Sequence, residues 1–171
     1  MKVCVWNING VPHSKLVLWD TLTYLRSFDM VMLCETRSTD DFECWLPEHS
    51  IANVPADHTG VAGEGLLLAV KRNRAYIVSD FASDDCSLWV TLSFGQSHVP
   101  ITFGVCYIPP AGSPKLRFDG LQERFAQVMS HAVAASDLGE VFMGGDFNAH
   151  FRNTGTDAHG RHLLDLCSNS S

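Results

Sequence analysis

The sequence predicts a single mixed α/β domain, and three features of its 171 residues point there. Short, wholly apolar runs end abruptly in Gly, Asn or acidic residues, as buried strands do. Segments between them repeat apolar residues at helical spacing. The chain is 46% apolar and 18% charged, which supplies one good core and leaves no room for two independent domains.

Val3 to Trp6 is the first apolar run, and Asn7-Ile8-Asn9-Gly10 has the composition of a turn at a strand end. Ser14 is placed to cap a helix over Lys15 to Phe28, with Leu18, Leu22 and Leu25 on one stripe and Trp19 and Phe28 widening it into the core. Met30 to Cys34 follows as a second buried strand that presents Glu35-Thr36-Arg37 at its end, so strand, helix and strand form a crossover unit. From Ser38 to Gly63 the pattern is weak. Asp41 to Leu46 suggests a helical turn, and Pro47, Pro55 and Gly60 mark loops.

Leu66 to Lys71 and Ala75 to Val78 read as successive strands, with a break over Lys71 to Arg74. Ser87 to Phe94 alternates Leu88, Val90, Leu92 and Phe94, and Pro100 to Ile108 is β-branched and aromatic up to Pro109-Pro110. Ser113-Pro114 opens a helix through Ala135, with Leu121, Phe125, Val128, Met129 and Ala132 on one face. Val141 to Met143 is a short buried strand that Gly144-Gly145 ends. Arg152 to Gly160 reads as loop, and Gly160 to Cys167 as the start of a helix on Leu163, Leu164 and Leu166.

Twelve Lys and Arg against nineteen Asp and Glu give a net charge of −7, which excludes a general electrostatic grip on nucleic acid or an anionic membrane. Any phosphate must be met locally. The apolar runs are too short for a membrane span and Met1 opens no signal-peptide core, so the chain reads as intracellular and soluble, with the nucleus as a candidate location. The six cysteines form no CxxC pair and read as reduced packing residues. The histidines lack the Cys or HExxH context of a structural zinc site. Lys71-Arg72-Asn73-Arg74 is a short basic run, read as a solvated turn.

Four apolar runs end in polar groups: Asn7, Glu35, Tyr107, and Asp146 with Asn148. Taken singly, Glu35 is a solvated strand-end residue, Tyr107 a packed strand aromatic, and the asparagines turn residues. Taken together they form a hard-oxygen set, because α/β folds deliver such groups from strand ends into one crevice. Two carboxylates and two amides suit Mg²⁺, which keeps water ligands and leaves positions for a substrate phosphate. Phosphoester hydrolysis follows from that chemistry.

The same residues carry a family resemblance. Trp6-Asn7-Ile8-Asn9-Gly10, Cys34-Glu35-Thr36, Val105-Cys106-Tyr107-Ile108-Pro109-Pro110 and Gly144-Gly145-Asp146-Phe147-Asn148-Ala149-His150 resemble, in order, the motifs of the endonuclease/exonuclease/phosphatase superfamily. The last motif, followed by Gly160-Arg161-His162-Leu163-Leu164-Asp165-Leu166-Cys167, is most similar to endonuclease domains of LINE-type (non-LTR) retrotransposons. The resemblance implies a four-layer sandwich of two β-sheets flanked by helices. It covers residues 1–171 as a partial domain with the C-terminal part missing, because no Ser-Asp-His motif follows Asn148.

By that resemblance Glu35 is the principal metal ligand, and Asn7 helps arrange the ion or its water. Asp146 orients or deprotonates the attacking water, Asn148 positions phosphate, and Tyr107 donates its hydroxyl to a phosphate oxygen. The implied cofactor is Mg²⁺, with Mn²⁺ as the substitute. The implied partner is DNA, nicked by a monomeric endonuclease without membrane attachment. A phosphatase or lipid phosphodiesterase of the same superfamily, and a non-catalytic remnant, stand as alternatives. His150, a lone loop histidine beside the site, reads as a surface group and stays outside the catalytic set.

Overall fold

Eight apolar runs pair into two four-stranded sheets that stack face to face. The computed structural model describes residues 1–10, 19–38, 45–56, 65–72, 75–95, 99–114, 116–152 and 155–169. The first sheet contains β1 (Val3–Asn7), β2 (Met30–Cys34), β3 (His49–Val54) and β4 (Leu66–Lys71), in the order β1-β2-β4-β3. The second runs β5 (Ile77–Ser83), β6 (Ser87–Ser93), β7 (Ile101–Tyr107) and β8 (Glu140–Asp146), in sequence order.

Each sheet has one parallel pair, and parallel pairing requires a crossover connection. Helix α1 (Trp19–Arg26) lies in the connection between β1 and β2, and α2 (Leu116–Ser136) in that between β7 and β8. The register of these two pairs decides where chemistry falls. Asn7 lies opposite Cys34, and so beside Glu35, while Tyr107 lies opposite Asp146.

The inner core is built from alternate residues of both sheets. Met30, Met32, Leu66, Leu68 and Val70 meet Leu88, Val90, Leu92, Phe103 and Val105 across the interface. The intervening positions Val31, Leu33, Leu67 and Ala69 pack outward with Leu25 of α1. On the far side, Trp89 and Cys106 pack under Phe125, Val128 and Ala132 of α2 and Leu166 of α3 (Ala158–Asn169). The result is four layers, helix, sheet, sheet and helices, which explains why β2 and β4 read as unbroken apolar runs: both of their faces are covered.

Several sequence expectations change. Trp19 is not in the core: it is 72% exposed, about 120° round the helix from buried Leu25, with the Arg26 guanidinium 6.0 Å from its ring centroid. The expected start of that helix, with its Ser14 cap, lies outside the described residues, as does most of the Asp41 to Leu46 turn. Strand β3 falls in the stretch where the pattern was weak and no element was assigned, because its His49-Ser50-Ile51-Ala52-Asn53 sequence has weak strand propensity and pairing with β4 decides its conformation. Strand β5 begins at Ile77 rather than Ala75 and runs through a register shift between Val78 and Phe81, which breaks the alternation.

Gly144-Gly145 does not end β8, which continues to Asp146. At Gly145 (φ +151) an added Cβ would stand 1.9 Å from the Cys106 carbonyl oxygen, so glycine is what lets β8 stay paired with β7 this close. The expected Arg152 to Gly160 loop contains a small hairpin, β9 (Phe151–Arg152) with β10 (Gly155–Thr156). Asp157 then caps α3, its Oδ1 accepting the Gly160 N–H at 2.7 Å.

The first half of the basic run is structural. Lys71 Nζ donates to the Arg26 carbonyl at 3.1 Å and pairs with Glu48 at 3.3 Å, and Arg72 donates to the Pro47 carbonyl. Cys4, Cys34, Cys86 and Cys106 are buried free thiols, and Cys167 is free and exposed. Among the described residues no helix is long and apolar enough to cross a membrane.

Candidate active site at the seam of the two sheets

The two parallel pairs end on the same side of the sandwich, and their C-terminal residues converge. The Asn7 amide stands between the sheets: its Nδ2 donates to Glu35 Oε1 at 3.2 Å and to Asp146 Oδ2 at 2.6 Å. Asn7 thus bonds a residue 139 positions away in sequence, and Glu35 and Asp146 share its one amide donor group. Asn7 Oδ1 accepts the Asn9 N–H at 3.0 Å, which fixes the amide's orientation.

Each carboxylate is held from a second direction. Arg37 donates to Glu35 Oε2 at 2.9 Å and to Asn9 Oδ1 at 2.5 Å. Asp146 Oδ1 accepts the Asn148 backbone N–H at 2.9 Å, and Asn148 Nδ2 donates to the Ile108 carbonyl at 2.9 Å, tying the ends of β7 and β8 together. The non-glycine residues with left-handed backbone among those described are Asn9, Glu35, Arg37 and Asn148, all in this network. Such conformations are costly for side-chain-bearing residues and persist where surrounding contacts impose them.

Tyr107 is 7% exposed at the end of β7. Burial, reinforced by the negative charges of Glu35 and Asp146 and a hydrogen bond to Glu35, raises its phenol far above the ordinary value. It is therefore protonated at any physiological pH, with its hydroxyl beside the Glu35 and Asp146 carboxylates. Burial beside Asp146 and Glu35 likewise pushes the Cys34 thiol up to about 12, so that sulfur is inert packing rather than a nucleophile.

All five side chains singled out in the sequence, Asn7, Glu35, Tyr107, Asp146 and Asn148, belong to this one cluster. Arg37 and Asn9 were not assigned to it from sequence, although Arg37 stands two residues after Glu35 and is the nearest cation in the chain order. His159 was also missed: it is 2% exposed and its Nε2–H donates to the Pro109 carbonyl at 2.9 Å, bracing the turn that follows Tyr107.

The donor set fits a hard divalent cation. Glu35 and Asp146, at the ends of different sheets, are close enough to share one amide group, and their oxygens with the Asn7 amide are donors of the kind such a cation would take, although among the described residues no group of three or more His, Cys, Asp or Glu gathers here.

This fold, two stacked sheets with a polar cluster at the end of their seam, is that of a known family. The chain belongs to the Endonuclease/Exonuclease/phosphatase family, whose model matches residues 4–166. Among solved structures it is similar to the AP endonuclease LMAP from Leishmania major (TM-score 0.70, 15% identity, 99% of this chain and 66% of that one). It is also similar to the endonuclease domain of TRAS1, a telomere-specific non-LTR retrotransposon (TM-score 0.67, 14% identity, 99% and 71%). The human Nocturnin catalytic domain gives a TM-score of 0.64 at 17% identity, over 88% of this chain and 65% of that one. The chain therefore spans about two thirds of the length of these neighbours. A search of curated proteins finds no match.

Proposed function

We propose that the chain carries the phosphodiester-cleaving centre of a DNA endonuclease of the retrotransposon type, dependent on Mg²⁺ with Mn²⁺ as its substitute. The single observation that carries this reading is the shared hydrogen bonding of Asn7 to Glu35 and Asp146, which gathers two acidic groups from opposite sheets. Glu35 would hold the cation, with Asn7 beside it. When bound, a divalent cation polarises the phosphoryl oxygen and offsets charge that develops during in-line displacement.

The remaining work falls to the chain's own side chains. Asn7 holds one oxygen of Glu35 and Arg37 the other, which keeps Glu35 at the seam, and Tyr107 donates its O–H to a phosphate oxygen. Asp146 keeps a lone pair free on each oxygen after accepting from Asn7 and Asn148, and takes a proton from the attacking water. Asn148, with Nδ2 tied to Ile108, presents its amide oxygen and remaining N–H to the water and phosphate.

The test is nicking of supercoiled plasmid in Mg²⁺, with inositol phosphates as the second substrate. Nicking that Glu35→Ala abolishes supports the endonuclease reading. The net charge of −7 favours a small phosphate ester over a polyanion, and cleavage of inositol phosphates alone establishes that alternative instead.

A further inference from the structure

Beside Asp146 and Asn148 the seam opens into a hollow of about 330 Å³, within the range of small-ligand sites, and His150 and Leu163 complete its wall. The histidine is held in an unusual way for a surface residue. Its backbone N–H donates to Asp157 Oδ1 at 3.3 Å, and its ring Nδ1 meets Asp157 Oδ2 at 3.0 Å. Asp157 is itself fixed, since the same Oδ1 accepts the Gly160 N–H at the start of α3. Those N–H bonds, from Gly160 first and then His150, hold the Asp157 carboxyl below its usual range, so it is an anion that orients the imidazole.

Fixing a ring at this position gains the fold little, because the His150 side chain is 57% exposed. What it does is direct chemistry. With Nδ1 engaged by a carboxylate, Nε2 is the nitrogen available to a ligand, and a ring that carries N–H on both nitrogens satisfies Asp157 and a ligand oxygen at once. A charge-assisted N–H on the wall of a hollow that begins at Asp146 and Asn148 matches an anionic phosphate oxygen.

We propose that His150, oriented by Asp157, is a substrate-binding residue of this site, its Nε2–H donating to a non-bridging oxygen of a phosphodiester whose attached nucleoside fills the hollow. Asp157 is the positioning residue that acts through it. The inference rests on the phosphodiesterase reading and adds to it the face on which the substrate lies.

The experiment is an NMR titration of the intact chain with the dinucleoside monophosphate TpT, read at the His150 Cε1–H and at the Asn148 side-chain amide. Both signals are expected to shift with one saturation curve. In His150→Gln, the affinity read at Asn148 is expected to weaken about tenfold, and Asp157→Asn, which keeps the helix cap, is expected to give an intermediate loss. A shift at Asn148 with no response at His150, or equal affinity in His150→Gln, overturns the role of His150 while the phosphodiester site stands. No shift at either residue overturns both.

Discussion

Strands β1 and β2 are paired residue for residue, yet they live in opposite environments. Every residue of β2 is buried, whereas Val5 and Trp6 of β1 are 40% and 39% exposed. The same contrast recurs in the second sheet, where β6 is largely buried and Phe142 of β8 is 44% exposed although its ring meets Phe103 of the inner core. Strands with a neighbour on each side and a layer on each face hold the fold together. The two edge strands face each other across one seam, where Val5 packs over Gly144, and the charged cluster sits at the end of that seam. Polar groups there escape full burial and remain reachable by substrate, while the rigid centre behind them fixes their spacing.

The contrast predicts that substitutions at the seam and at the centre separate chemistry from stability. The largest effect is expected from Glu35→Gln, which keeps size but removes the charge and one of the two accepting oxygens. Phosphodiester cleavage falls by about 10³-fold, while the melting temperature of this partly exposed strand-end residue stays near that of the parent. A parallel drop in both would erase the distinction between the two regions.

At the centre, Leu68→Ala empties a fully buried site between the sheets and costs about 3 kcal/mol in chemical denaturation. Gly104→Ala comes next. Its Cβ would lie 2.3 Å from the Trp89 ring, a residue pinned by its Nε1–H bond to Ser87, so destabilisation of about 2 kcal/mol is expected from overpacking. Neither change touches a site residue, and the remaining folded fraction should bind TpT with unchanged affinity.

The smallest effect is pH-dependent and belongs to β3. His49 is 3% exposed, with Nε2–H on the Phe28 carbonyl and no partner for Nδ1 among the described residues, and burial holds its imidazole below the ordinary value. Below about pH 6.5 the unfolded chain therefore takes up a proton that the folded chain resists, and stability is lost as pH falls. Melting temperatures between about pH 7.5 and pH 5.5 should decline less in His49→Gln than in the parent chain. An identical decline would assign the acid sensitivity to other groups.

Legibility in the sequence follows the same division. Fully buried runs such as Met30 to Cys34 and Leu66 to Lys71 carry their own signal, because burial on both faces leaves no polar residue to blur it. The five cluster residues were visible because each stands at or near the end of an apolar run. What stayed hidden depended on partners distant in sequence. Strand β3 exists through β4, Gly145 continues a strand because Cys106 approaches it, and Trp19 lies outside the core through its angle around α1. The roles of Arg37 and His150 became readable only from the carboxylates they meet, one two residues away and the other seven.

The proposed site has Glu35 holding one divalent cation with Asn7 beside it, while Asp146, on the same amide, faces the attacking water. Paramagnetic broadening by Mn²⁺ tests it without requiring turnover. Substoichiometric Mn²⁺ is expected to erase the side-chain amide signals of Asn7 and Asn148 first, to be displaced by Mg²⁺, and to lose this selectivity in Glu35→Gln. Broadening centred elsewhere, or unchanged by that substitution, would contradict the account.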